Sequence, residues 1–333
     1  MTQHETHTIR IGTRGSQLAL WQANFVAQRL RALGHAVELE VIRTVGDRMQ
    51  DPAFAQQASQ EGLSPNGVGV FIREIEEALA AGRIDVAVHS LKDLPTTIDA
   101  RFRLAAIPAR ADARDAFVCE EYWGLHTLPM HARVATTSPR RQAMVLALRP
   151  DLQFVAMRGN IDTRLRKWEA GEADALILAS AGLDRLGRTE HVHYRFSVDE
   201  ICPAPGQGAL GLEVRCIHVA SPNSRDVAIY HAVRALNDAP TEYAVTAERA
   251  VLAGLGSGCQ LPLGAYCQQV DDQWHMHAMV VAPDGEQVAH IVHRTSVMTP
   301  ASVLGATVAE ELIASGAREL LATGSELLVE DAG

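Results

Sequence analysis

The stretch TIRIGTRGSQLALWQANFVAQRLRALGHAVELEVIRT, residues 8–44, decides the fold class. Its front, Thr8 to Gly12, is a short apolar and β-branched run that predicts a strand. Ser16 then precedes apolar residues at Leu18, Trp21, Phe25 and Leu30, which recur at helical spacing. Serine is a favoured N-cap because its hydroxyl accepts an otherwise unpaired first-turn N–H, and Gly34 suits the helix stop. Val37 to Thr44 predicts the next strand. A helix of this length between two strands excludes a tight hairpin and calls for a parallel crossover. The unit continues through an amphipathic helix, Phe71 to Ala81 with Gly82 behind it, into a buried-type strand from Ile84 to His89.

A second unit repeats the alternation. Val134 to Thr136, Leu152 to Ala156 and Ala175 to Ala179 predict strands, with helices at Pro139 to Leu148 and Asn160 to Ala170. The pattern closes at Pro203–Ala204–Pro205–Gly206, and a strand-like run follows from Leu210 to Arg215. The last hundred residues change character. Two helices (Asn223 to Asn237, Thr241 to Leu252) precede three strands (Leu263 to Val270, Trp274 to Val281, Gln287 to His293) and a helix from Pro300 to Ala314, which predicts a small α+β domain. Inside the first unit, between its second strand and the Phe71 to Ala81 helix, Asp47 to Gly69 is rich in Gln, Ser, Asn and Gly. A loop this long is either an active-site lid or a tolerated surface insertion.

Composition bounds the partners. The 333 residues are 47% hydrophobic and 21% charged, which is ordinary globular chemistry. The net charge of −10 argues against nucleic acid as the main partner. Five widely spread cysteines without a C-x-x-C favour reduced thiols. Met1 to Arg10 lacks an apolar signal core, and no run is long enough to span a membrane, so a cytoplasmic location is expected. Only Lys92 and Lys167 are lysines; the other basic residues are arginines, whose planar forks match carboxylates.

Three places could carry chemistry. An arginine-rich island runs from Arg133 to Lys167 in an otherwise acidic chain. Charge runs are commonly solvated helix faces, but Arg140, Arg141, Arg158 and Arg164 sit beside strand-to-helix turns, where helix N-termini also favour anions. His89–Ser90–Leu91–Lys92–Asp93–Leu94–Pro95 follows a buried strand, so Asp93 is a candidate acid/base or cation stabiliser; the bland alternative is a solvated turn. Gly254 to Pro262 places Cys259 in a glycine-rich loop, either as a nucleophile or anchor or as an inert small hydrophobe. Two patterns mislead. Gly206–Gln207–Gly208–Ala209–Leu210–Gly211 matches a dinucleotide fingerprint but follows a Pro-rich turn and enters a strand rather than a helix. The pairs His191/His193, His275/His277 and His290/His293 lack metal-site spacing, so no metal is expected.

Together these segments resemble the porphobilinogen deaminase (hydroxymethylbilane synthase) family along essentially the whole chain. The matching stretches are Ile11 to Gln22, Ala87 to Pro95, Arg140–Arg141–Gln142, Arg158–Gly159–Asn160 with Thr163–Arg164, Ala181 to Gly187, Pro205 to Ala209 and Gly258 to Gly264. The resemblance implies a fold of two type II periplasmic-binding-protein-like α/β domains plus a small C-terminal α+β domain. Its boundaries would be 1–108 with 209–226 returning, 109–208, and 227–333. It implies a transferase that joins four porphobilinogen molecules head to tail, releasing ammonia, then frees hydroxymethylbilane. The primer would be a dipyrromethane cofactor held as a thioether on Cys259. Asp93 matches the catalytic carboxylate, which would stabilise the cationic azafulvene left by ammonia loss. Ser90, Lys92, Ser138, Arg140, Arg141 and Arg158 match cofactor-binding positions. Arg14, Ser16, Arg164, Arg185 and Gln207 match substrate-binding positions. A monomer acting on a small molecule, without nucleic acid or membrane, is implied.

The chain departs from the family in its loop. The family's Gly–Gly–Lys–Gly–Leu–Phe run appears as Asn66–Gly67–Val68–Gly69–Val70–Phe71, with no lysine anywhere in the loop. Two other readings stand beside an active deaminase: a diverged paralogue that holds the cofactor but elongates poorly, which the altered loop motivates, and a solute-binding protein of related fold, since the two-domain architecture is shared.

Overall fold

A computed structural model describes residues 8–44, 72–216, 225–256 and 261–321. In chain order its elements begin with β1 (Ile9–Thr13), α1 (Gln17–Ala32), β2 (Val37–Val41), α2 (Arg73–Ala80), β3 (Val86–Ser90) and β4 (Phe102–Ala106). Then come β5 (Asp115–Val118), β6 (Arg133–Ala135), α3 (Pro139–Leu148), β7 (Gln153–Val155), α4 (Ile161–Glu169), β8 (Ala175–Ala179), α5 (Ser180–Arg185) and β9 (Tyr194–Arg195). The last are β10 (Leu210–Arg215), α6 (Arg225–Arg234), α7 (Ala239–Gly254), β11 (Leu263–Val270), β12 (Gln273–Val281), β13 (Val288–Ser296) and α8 (Ala301–Ala314). They fall into two compact units, Met1–Arg110 with Ala209–Glu242, and Ala111–Gly208 with Tyr243–Gly333.

The first unit holds a five-stranded sheet in the order β2-β1-β3-β10-β4. β1 pairs in parallel with β2, as the quoted stretch requires, and also with β3, whereas β10 runs antiparallel to β3 and β4. The expected parallel sheet is therefore mixed. The reason lies in the chain path: β10 enters this sheet only after the chain has built the second unit, so no βαβ crossover fixes its direction. Ile9, Ile11, Val86, Val88, Leu210 and Leu212 pack against Ala23, Val26, Ala27 and Leu30 of α1 and Ile229 and Val233 of α6.

In the second unit the sheet order β7-β6-β8-β5-β9 has the same plan. β6, β7 and β8 are parallel and β5 is the antiparallel insert. Strand alternation along β11–β13 presents Ala265, Cys267, Trp274, Met276, Ala278 and Val280 to Leu304, Val308 and Leu312 of α8. Met279 and Val281 point the other way and join the core formed by Phe117, Val134, Met144 and Cys202. Gly264 permits this packing, since a Cβ there would collide with the Cys202 carbonyl. The architecture is the expected one: two α/β sheet domains and a small three-stranded α+β part. Among the described residues no helix is long and apolar enough to cross a membrane.

Candidate active site

In the first unit, the expected site residues lie just beyond the C-terminal ends of the parallel strands β1 and β3. β1 stops at Thr13, whose hydroxyl donates to the Ala19 carbonyl at 3.0 Å. The chain turns through half-buried Arg14, and Ser16 caps α1 by accepting from the Ala19 N–H at 3.3 Å. β3 ends on Ser90, whose Oγ accepts from buried Gln22 Nε2 at 2.9 Å. A single 3₁₀ turn, Leu91–Asp93, follows and is anchored by buried Leu91 and Leu94. It holds Lys92 half-buried and Asp93 exposed to solvent. Below them, His89 Nε2 lies 3.1 Å from Glu213 Oε2, both buried. The two are neighbours because β10 pairs with β3.

The second unit gathers its cations at the corresponding edge, where β6, β7 and β8 end. Ser138 caps α3 by accepting from the Arg141 N–H, and Pro139 occupies the first turn, where its missing N–H costs nothing. That cap points Arg140 and Arg141 inward, where both are buried. Asp115, fully buried on β5, accepts from Arg140 Nη2 at 2.7 Å and from Arg141 Nη2 at 2.6 Å and Nε at 3.1 Å. Gln207 Nε2 donates to the same carboxylate at 3.0 Å and to the Ala113 carbonyl at 2.7 Å. Burial alone would raise the Asp115 pKa, but the two guanidiniums hold it well below the usual carboxylate range. One carboxylate against two guanidiniums leaves a net positive centre.

More positive charge surrounds it. Arg164, half-buried on α4, donates from Nε to the Gly159 carbonyl at 2.9 Å and pairs with no carboxylate among the described residues. Desolvation, and then the nearness of Arg141, lower its pKa to about 10, so it stays cationic at neutral pH. Arg185 closes α5 and donates to the Gly208 carbonyl at 2.7 Å; burial lowers its pKa to about 10 as well. Arg158 is exposed in the turn after β7. A half-buried guanidinium facing no carboxylate is costly unless a ligand anion completes it. The donor set therefore fits a ligand bearing several carboxylates, as a dipyrromethane with acetate and propionate side chains does.

The structure divides the arginine island. Arg133 pairs with Asp174, and Arg149 with Asp151 while also donating to the Leu125 and Leu128 carbonyls, so both serve the framework. Arg140 and Arg141 spend part of their donors on Asp115, while Arg158 and Arg164 pair with no carboxylate among the described residues. Cys259 and the loop 47–69 lie outside the described residues. Sequence reasoning missed Gln22, Asp115, Glu213 and Glu248. Glu248, buried on α7, accepts from the Gly206 N–H at 2.7 Å and the Cys267 N–H at 2.8 Å, so it fixes the Pro-rich turn that carries Gln207. Asp115 did leave a trace, as a lone acid opening the apolar run Ala116–Phe117–Val118.

Residues 9–220 match the family model for the dipyromethane cofactor binding domain of porphobilinogen deaminase, and residues 242–314 match its C-terminal domain. The porphobilinogen deaminase of Nitrobacter hamburgensis is 45% identical over 91% of this chain and 92% of its own length. That of Albidiferax ferrireducens is 42% identical over 98% of both. Among solved structures, the methionine-binding protein MetQ superposes with a TM-score of 0.42 at 11% identity, covering 68% of this chain and 89% of that one.

Proposed function

This chain belongs to the porphobilinogen deaminase family, and from that premise we propose that it condenses four porphobilinogen molecules into hydroxymethylbilane as a cytoplasmic monomer. The observation that supports this most is the net positive centre at Asp115, Arg140 and Arg141 with half-buried Arg164 beside it. A growing polypyrrole gains two carboxylates with each ring, and this is the charge such a ligand needs. The dipyrromethane cofactor, anchored in this proposal at Cys259, supplies the nucleophilic pyrrole from which the chain is extended.

The protein's own groups do the rest. Arg140, Arg141 and Arg158 bind cofactor carboxylates, with the Ser138-capped helix start aligning the first two. Ser90 and Lys92 hold the cofactor from the strand end that also carries Asp93. Arg14, Arg164 and Arg185 receive substrate carboxylates, Ser16 supports Arg14, and Gln207 keeps the arginine–Asp115 centre in register. Asp93 stabilises the cation formed as ammonia leaves porphobilinogen and accepts the proton that must then depart. Its short 3₁₀ turn, pinned by Leu91 and Leu94, keeps the carboxylate from drifting.

Incubation with porphobilinogen tests the reading. Four ammonia molecules are expected per free linear tetrapyrrole, and absence of ammonia release would refute it. The lysine-free loop favours a second reading, in which the cofactor is held but elongation is slow. Enzyme-bound intermediates building up without free product would select that one.

A further inference from the structure

Outside the arginine cluster, the fold assembles a group of side chains that no sequence spacing announces. β12 and β13 pair antiparallel, with His277 opposite Val292 and Met279 opposite His290. His277 and His290 are therefore diagonal neighbours on one face of the sheet, the face opposite the one packed on α8. Asp199 meets them from the turn after β9. His277 Nδ1 lies 3.1 Å from Asp199 Oδ1, and His290 Nε2 lies 3.8 Å from the same oxygen. One ligand atom from each residue falls within 4.8 Å of the others, the one such grouping among the described residues.

The backbone that carries these side chains is hydrogen-bonded on both sides. The Ser197 N–H donates to Glu200 Oε2 at 2.8 Å, the Glu200 N–H donates back to Ser197 Oγ at 3.2 Å, and Tyr194 OH donates to Glu200 Oε2 at 2.7 Å. The turn bearing Asp199 is thus braced on both sides. On the sheet side, the Cys202 thiol donates to the His277 carbonyl at 3.7 Å. Each histidine sits inside a nine-residue strand with full ladder pairing.

We propose that Asp199, His277 and His290 form a three-ligand site for a zinc-class divalent cation, with a fourth position open to water. Two imidazole nitrogens and one carboxylate are a borderline-soft donor set that suits Zn²⁺ over Mg²⁺ or Ca²⁺. Bonds of about 2.0–2.1 Å on a tetrahedron put ligand atoms about 3.3 Å apart. The two Asp199–histidine separations, 3.1 and 3.8 Å, bracket that value, and the two histidine nitrogens lie within 4.8 Å of each other, so the three donors need only close inward on the ion. Asp199 and His290 are exposed, which gives the ion an entry path and a solvent ligand. A bound ion would tie β12 and β13 to the 197–200 turn and stabilise the second unit.

The test uses the full chain stripped with a chelator, then titrated with zinc chloride alone by calorimetry and with cobalt chloride by visible absorption. One equivalent of zinc at micromolar affinity is expected, with the visible bands of four-coordinate cobalt. Asp199→Asn and His290→Gln should each weaken binding at least tenfold while leaving the circular dichroism and ammonia-release rate unchanged. His191→Gln with His193→Gln should bind like the wild type, which controls for other histidines. Zinc should raise the melting temperature of the wild type and not of His290→Gln. Absence of stoichiometric binding at 100 μM zinc, or binding that persists in both site variants, would overturn the proposal.

Discussion

Replacing Asp115 by asparagine should destabilise the second unit more than any other single charge removal at the site. Asp115 is fully buried and holds two arginines that are themselves almost inaccessible, with side-chain exposures of 5% and 8%. Asparagine keeps the volume but removes the charge, and its amide N–H₂ would point donors at donors. Removing one partner of such a buried cluster costs about 3–5 kcal/mol, because the remaining guanidiniums stay desolvated and unneutralised. For a unit of this size, each kcal/mol moves the melting temperature by about 2–4 °C, so a drop of about 6–20 °C is expected. Differential scanning calorimetry at pH 7 reads it directly. Asp174→Asn, which removes the acid from the exposed Arg133 pair, serves as the comparison and should shift the transition far less. Combining Asp115→Asn with Arg141→Met should cost less than the sum of the single changes, since the double variant buries one unpaired cation fewer. The pH dependence has a definite sign. The Asp115 pKa is depressed in the folded chain, so its contribution is present above the unfolded carboxylate pKa of about 3.9 and is lost as pH falls toward the folded value. A melting temperature for Asp115→Asn within about 2 °C of the wild type would refute the reasoning.

Asp93→Asn should retain the wild-type melting temperature, since Asp93 is exposed, while ammonia release falls at least a hundredfold, the span of a lost general acid/base; wild-type turnover would remove Asp93 from the mechanism. Gly285→Ala should destabilise the second unit by more than about 1 kcal/mol in urea unfolding. Gly285 has φ +81°, and an added Cβ would come within 2.5 Å of the Ala147 nitrogen on α3. An unchanged midpoint would show that the β12–β13 turn does not need this close approach.

Much of the fold was legible because its signals are local. Ser16 and Gly34 bracket α1, and the Ser138–Pro139 start of α3 is a cap followed by a residue that suits only a first turn. The runs at β8, β10 and β11 have the length and apolar content of buried strands. What escaped depended on distant pairing. β4, β5 and β9 are short strands whose place is set by partners elsewhere in the chain, and β5 opens with a buried acid that breaks its apolar pattern. The direction of β10 was equally hidden, because it follows from where the chain returns and not from its own residues.

The candidate site divides in the same way. Residues in recognisable segments, such as Asp93 and Arg164, were legible by type and position. Their supports were not, since Asp115 meets Arg140 and Arg141 across about 25 residues and His89 meets Glu213 across 124. The arginine island read as a single candidate for anion recognition because charge counting cannot tell a guanidinium that chelates a buried aspartate from one that meets no carboxylate among the described residues. Likewise, Asp199, His277 and His290 come together only through a sheet register and a turn, so histidine spacing concealed them.

The most direct test of the central claim is the intact mass of the protein purified from a host that makes porphobilinogen. The account predicts a covalent adduct of two pyrrole units on the wild type, absent from Cys259→Ala. An unmodified wild-type mass, or an adduct that survives in Cys259→Ala, would contradict it.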